Sequence, residues 1–107
     1  MRPATTFFFI QVSNTRAYIF HHNSMVLIDC GGTVFHRLME SKLLEKLTQL
    51  DVIITHTHPD HIGSLGEVIF YAHYVLNITP KIFFPNSALM NNFLACIGVD
   101  PNMYELI

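Results

Sequence analysis

The stretch DVIITHTHPDHIG, residues 51–63, joins a nearly all-apolar run to a turn that contains three histidines and an aspartate. The run at 51–55 is rich in β-branched residues, which is typical of a strand buried on both faces of a layered α/β sheet. Pro59 fixes its own φ and disfavours helical backbone at the residue before it. The stretch therefore predicts a buried strand that ends near Thr55, with a histidine-rich turn at its carboxyl end.

The segments on either side of this stretch predict an α/β fold with a mixed sheet. Strands are predicted over residues 5–12, 17–22, 25–29 and 81–84, and helices over 35–49, 64–76 and 87–97. Asn23 and Ser24 predict the turn of an antiparallel hairpin at the start of the sheet. Gly98 is placed to end the third helix. Because strands and helices then alternate, the later strands should be parallel, with helices 35–49 and 64–76 on one face.

Length and composition limit the class of protein. The chain has 107 residues, half of them hydrophobic, and a formal net charge of −2. It is long enough for one small domain and has no basic patch typical of nucleic-acid binding. It contains neither a signal-peptide pattern nor an apolar run of membrane-spanning length, so a soluble, cytoplasmic protein is expected. Cys30 and Cys96 are expected to be reduced thiols, with a disulfide as the alternative.

The residue types in the turn are those that bind metal ions. His56 and His58 are two residues apart, so extended backbone points both imidazoles to the same side, where they could share a zinc-type cation. Asp60 and His61 begin the next helix and are expected to face the same pocket, beside a second cation about 3.5–4 Å from the first. The alternatives are a solvated histidine-rich loop, or a helix that Asp60 simply caps.

The pattern of His56, His58, Asp60 and His61 resembles the metal-binding motif of the metallo-β-lactamase superfamily. A second stretch, VLIDCGG at residues 26–32, looks like the first motif of that superfamily. The resemblance implies that Asp29 supports the metal-binding loop; the alternative is a local turn-former before Gly31. Within the superfamily, LIDCGGTVFHRLM and IITHTHPDHIGSL look most like the ribonuclease Z branch and related phosphodiesterases.

The resemblance implies a fold of two similar halves, an αββα sandwich, of which this chain would supply the first as a single, apparently truncated domain over residues 1–107. The resemblance to the superfamily covers roughly residues 5–85. The remaining ligands of such a site come from later segments in the superfamily. Neither His73, predicted to pack within the second helix, nor Asp100, predicted to lie in a turn, is expected to replace them.

The function implied by the resemblance is that of a metal-dependent hydrolase acting on phosphodiester bonds, in RNA or a cyclic nucleotide, through a dinuclear site. Zn²⁺ is the expected cofactor at both positions, with Mn²⁺ possible, and Asp60 would also orient the attacking water. The alternatives are a non-catalytic truncated remnant or subunit that keeps a partial metal site, and a plain interaction domain. Expected partners are a small-molecule or nucleic-acid phosphodiester and, in addition, another copy of the chain or a complementing second half, but no membrane.

Overall fold

In a computed structural model, the described residues form one mixed sheet whose strands follow chain order. The structure describes residues 8–13, 16–58 and 62–107. Pairing is antiparallel between the first three strands and parallel between each later neighbouring pair, which confirms the predicted α/β fold with its antiparallel start. The strands are β1 (Phe8–Ser13), β2 (Arg16–His21), β3 (Ser24–Ile28), β4 (Gln49–Ile53), β5 (Lys81–Phe83) and β6 (Glu105–Leu106).

The predicted hairpin lies between β2 and β3. His21 pairs with Ser24, so the turn consists of His22 and Asn23. This is one residue earlier than the predicted turn. His22 adopts a positive φ of 56°, as the tight primed turns of two-residue hairpins require. The first residues of the predicted strand 5–12 lie outside the described residues.

The helices are shorter than the apolar spacing predicts, and a 3₁₀ turn and the strand β6 were not predicted. The prediction of one helix over 35–49 is wrong because Lys42 takes up a left-handed φ of 62° and its N–H donates to Met39 O, which ends the first helix. Among the described helices, none has the length and apolarity needed to span a bilayer. The helices are α1 (Val34–Ser41), α2 (Leu65–Tyr71) with a π-helical turn over Ala72–Leu76, α3 (Ser87–Cys96) and the 3₁₀ turn Pro101–Met103.

The core lies between the helices and one face of the sheet. Alternate residues of the central strands point into it: Leu27 on β3, Val52 on β4 and Ile82 on β5 are fully buried. Helices α1 and α2 belong to the same core, and the rings of Phe35 and Tyr71 meet edge to face with their centroids 5.9 Å apart. The main helical residues of this core are Val34, Leu38, Leu65, Ile69, Met90 and Leu94.

Helix α2 lies close to the residue that follows the end of α3. A Cβ atom on Gly66 would lie 2.8 Å from Cδ1 of Ile97, so α2 lies closer to that residue than an alanine would allow without a shift. Just beyond, Gly98 adopts a φ of 87° after the last turn of α3, which confirms the predicted helix stop. Fully buried side chains of α2, among them Leu65 and Ile69, pack the helix into the core against the sheet.

Candidate metal centre

The carboxyl ends of β3 and β4 lie side by side and carry the candidate functional residues. The parallel register places Ile28 opposite Ile53, so Asp29 and Ile54 leave the sheet at the same edge. The ladder continues past both strand ends: Asp29 N donates to Ile53 O at 2.8 Å, and Ile54 N donates to Phe83 O at 3.0 Å. In open α/β sheets, ligands bind outside the carboxyl ends of the strands. The edge is therefore the expected location of a site.

Asp29 is the buried anchor of this edge. It is only 4% exposed and adopts a positive φ of 63°, which aspartate tolerates better than most residues. Its carboxylate accepts from Thr55 N at 2.7 Å and from Thr55 Oγ1 at 2.9 Å to Oδ1 and 2.7 Å to Oδ2. The side chain thus joins the first motif to the residue immediately before the histidines. Its predicted role toward a metal ion stays a prediction.

The two described histidines of the motif are exposed and lie close together. The ring centroids of His56 and His58 are 6.1 Å apart and their planes differ by 19°. Thr55 Oγ1 lies 3.1 Å from Nδ1 of His56. Two imidazoles that share a tetrahedral zinc ion have centroids about 5 Å apart, given Zn–N bonds of about 2.1 Å. The observed separation is about 1 Å wider than this, and imidazole nitrogen is a common zinc ligand, so the donor types fit a zinc ion.

Asp60 and His61 lie outside the described residues, together with Pro59. Among the residues that the structure does describe, no group of three or more histidine, cysteine, aspartate or glutamate side chains is placed to hold a metal ion. The assignment of Asp60 and His61 to a metal ion, and of Asp60 to catalysis, therefore stays a prediction. Ile62 N donates to His58 O at 3.1 Å.

Ser64 is a structural residue near the site that was not predicted from the sequence. It is fully buried, and its hydroxyl donates to Gly31 O and accepts from Phe35 N at 3.1 Å. Its backbone N–H donates to Cys30 O at 3.0 Å. These bonds tie the glycine loop after β3 to the start of α2. A small polar residue directly before a helical apolar pattern was the available signal, but it predicts a helix cap, not this cross-link.

Among the described residues, the contacts of the cysteines and of the other histidines are with groups other than His56 and His58. Cys30 is buried with Sγ 3.3 Å from Ser64 Oγ, Cys96 is exposed, and the two form no disulfide with each other. Each remaining histidine of the described chain has a local contact elsewhere. His21 packs on His22 with ring centroids 4.2 Å apart, His36 pairs with Glu40, and His73 meets Tyr74 edge to face.

Comparison with known proteins identifies a family. The family model described as "Anti-Pycsar protein Apyc1" matches residues 4–94. A protein with this name from Paenibacillus xerothermodurans is 38% identical over 79 residues, which are 73% of this chain and 30% of that protein. Another, from Bacillus phage BSP38, is 40% identical over 65 residues, 60% of this chain and 25% of that protein. The chain thus spans less than a third of the length of these relatives.

A solved structure supports the fold. The metallo-β-lactamase fold protein YhfI from Bacillus subtilis superposes with a TM-score of 0.64 and 23% identity, covering 86% of this chain and 36% of that one. This confirms the predicted metallo-β-lactamase type of fold. The function predicted from the sequence, that of a dinuclear metallo-hydrolase, is wrong: the family model and the relatives name an anti-Pycsar protein. These matches do not name the ribonuclease Z branch, which the two sequence motifs resemble.

Proposed function

The chain belongs to the Anti-Pycsar protein Apyc1 family, and we propose that it acts as an anti-defence protein that degrades a cyclic nucleotide. The observation that carries this proposal is the extent of the family match. Residues 4–94 include both strand ends and therefore Asp29, Thr55, His56 and His58. The presence of phage proteins among the relatives is consistent with a protein directed against a host defence.

The arrangement of the site supports an enzymatic mode of action. Two exposed imidazoles lie directly after a buried strand, at the sheet edge where α/β proteins bind ligands. Neutral imidazole is both a common metal ligand and a group that transfers protons near neutral pH. The Asp29–Thr55 hydrogen bonds hold the backbone that carries these rings. A catalytic site requires reactive side chains that the surrounding structure holds in a defined position.

The charge of the chain favours a small substrate over a long polyanion. Six lysine and arginine residues stand against eight aspartate and glutamate residues. Proteins that bind long nucleic acids neutralise many phosphates with basic side chains, whereas a cyclic mononucleotide has a single phosphate. A cytoplasmic site of action is part of the proposal, because a charged nucleotide does not cross a membrane unaided.

Zinc is the cofactor that we propose for this site, held in part by His56 and His58. When bound, such an ion would polarise an oxygen of the phosphoryl group. Two imidazoles are fewer than the four ligands of a closed zinc site. Asp60 and His61, which follow directly in the sequence, are the residues of this chain that we propose as further ligands. The contribution of Asp29 and Thr55 is to orient the loop.

The test is to place these residues in the context of a complete relative. The part of the Paenibacillus xerothermodurans protein that matches this chain is replaced by the corresponding residues of this chain. Loss of a set of 3′,5′-cyclic mononucleotides is then followed by chromatography, with the unchanged relative and the 107-residue chain assayed in parallel. We expect the chimera to consume at least one of these nucleotides.

Matched variants test whether consumption of the nucleotides depends on the histidines of the site or on a histidine elsewhere on the surface. His56→Ala combined with His58→Ala should abolish consumption by the chimera. His36→Ala should leave it unchanged, because that imidazole has 77% of its surface exposed on α1 and pairs only with Glu40 among the described residues. A folded chimera that consumes none of the nucleotides consumed by the relative would disprove the proposal.

A further inference from the structure

The hydroxyl of Thr55 lies between a buried carboxylate and an exposed imidazole. On one side, Oγ1 is 2.7 Å from Oδ2 of Asp29 and 2.9 Å from Oδ1. On the other side it is 3.1 Å from Nδ1 of His56. All three distances are within the range of ordinary hydrogen bonds. The three side chains thus form a short chain of contacts from the interior to the surface.

The chemistry of these groups fixes the direction of each hydrogen bond. A threonine hydroxyl has one proton to donate, and an ionised carboxylate can only accept. The proton of Oγ1 is therefore directed to Asp29. For the contact with His56 to be a hydrogen bond, Oγ1 must accept, and so Nδ1 must have the proton. In neutral imidazole the other nitrogen, Nε2, is then unprotonated and can bind a ligand through its lone pair.

We propose that Thr55 is a positioning residue that holds the imidazole of His56 in the Nδ1–H tautomer, with the Nε2 lone pair directed to a ligand. A metal ion bound through a histidine needs one unprotonated ring nitrogen, and the hydrogen bond at the other nitrogen selects which one. The identity of that ligand as zinc rests on the proposed function. The assignment of the tautomer does not, because we infer it from the hydrogen bonds of Thr55.

The support for Thr55 is stiff enough for this role. Its backbone N–H also donates to Asp29, at 2.7 Å, so both the main chain and the side chain of Thr55 are held by one carboxylate. That carboxylate is 4% exposed and belongs to a residue whose own N–H continues the sheet ladder. Threonine is β-branched and has few χ1 rotamers to lose. Serine would keep the hydroxyl but not the stiffness, and valine would keep the shape but not the hydroxyl.

The experiment is nitrogen NMR of the 107-residue chain labelled with ¹⁵N-histidine, at about pH 8.5 where histidine side chains are neutral. The spectrum of His56→Gln identifies which of the seven histidines gives the His56 signals. We expect the proton of His56 on Nδ1 in the wild-type chain. In Thr55→Val the ratio of Nδ1–H to Nε2–H should fall about fivefold, the equivalent of one net hydrogen bond.

The controls distinguish this role from a general effect on folding. Thr55→Ser should keep the wild-type ratio, and Thr57→Val, the same substitution two residues further along, should keep it as well. A proton on Nε2 in the wild-type chain overturns the inference even if Thr55→Val fails to fold. An unchanged ratio in folded Thr55→Val overturns it too.

A second measurement connects the inference to zinc. Thr55→Val should weaken zinc binding about 10- to 100-fold, as loss of a residue that orients a ligand typically does. Chelator competition with the wild-type chain, Thr55→Val and Thr55→Ser measures this. If the wild-type chain shows the Nδ1–H tautomer but binds no zinc, the cofactor proposal fails while the assignment of Thr55 stands. If it binds zinc but has the other tautomer, the assignment of Thr55 fails and the cofactor proposal stands.

Discussion

Two adjacent parts of one segment, residues 50–54 and 55–58, differ in almost every physical property. In the first part Leu50, Val52 and Ile54 are at most 2% exposed and fill the core beneath the helices. In the second part Thr55, His56 and His58 are exposed, and the hydroxyl of Thr55 contacts both Asp29 and His56. A single peptide bond, between residues 54 and 55, separates the two environments.

The buried part and the exposed part contribute differently to stability and to binding. Burial of apolar side chains stabilises the domain and fixes where β4 ends, and this determines the position of each residue that follows. The exposed part contributes little to burial, so substitutions there should change binding more than the free energy of unfolding. Asp29 connects the two parts, because it is buried, its N–H donates to Ile53 and its carboxylate accepts from Thr55.

The largest expected effect is in the buried part. Ile54→Ala should lower the free energy of unfolding by about 3 kcal/mol, since it removes a fully buried aliphatic side chain and leaves a cavity. Ile53→Ala is the matched control, because Ile53 points to the other face and is 37% exposed. Urea unfolding should show less than half the loss for Ile53→Ala. Equal losses would mean that the helix-covered face does not dominate stability.

A smaller effect is expected where the two parts meet. Asp29→Asn should cost about 2 kcal/mol of unfolding free energy, because it removes the negative charge and replaces Oδ2, which accepts from the Thr55 hydroxyl, by an amide nitrogen that can only donate. Asp51→Asn is the control: Oδ1 of Asp51 is buried with no hydrogen-bond partner in the described part of the chain. Replacing Asp51 should cost little or even stabilise. A neutral Asp29→Asn in the same urea titration would contradict the role of Asp29 as an anchor.

In the exposed part the expected effect is on binding. His56→Ala combined with His58→Ala should weaken zinc binding by at least tenfold, about 1.4 kcal/mol, in isothermal titration of the 107-residue chain. The urea midpoint should stay within error of the wild-type value, because both side chains are exposed. Zinc affinity that survives both substitutions would place the metal elsewhere.

Much of the sheet could be predicted from the sequence because its signals are local. The alternation of residues 17–22 and 25–29, and the apolar runs at 51–55 and 81–84, coincide with strands of the structure. The length of the first helix could not be predicted. Leu44 and Leu47 have helical spacing and are buried, but in turns that follow the left-handed Lys42. Helical spacing of apolar residues indicates which side chains are buried. A helix and a series of turns can bury the same side chains, so the spacing does not fix where the helix ends.

The candidate site was predictable in its residue types but not in its connections. The positions of His56 and His58 after a strand follow from the motif. The hydrogen bonds of Thr55 to Asp29, and of Ser64 to the glycine loop, link residues 26 and 33 positions apart, and no local pattern reports such a contact. The strand β6 was missed because its two residues are too short to show alternation.

The smallest effect tests whether the buried region also responds to pH. Burial raises the pKa of Tyr18 on β2 above its ordinary value of 10.0. The folded state therefore holds this proton more tightly than the unfolded state, so stability is kept below about pH 10 and falls as the pH rises further. Tyr18→Phe should reduce this alkaline loss, measured as the difference in urea midpoint between about pH 8 and about pH 10.5. Tyr74→Phe, at a side chain that is 69% exposed, should not change the difference. If Tyr18→Phe leaves the alkaline loss unchanged, another group in the fold is responsible. Tyr104 is then the residue to substitute next, because burial and the charge of Asp100 raise its pKa as well.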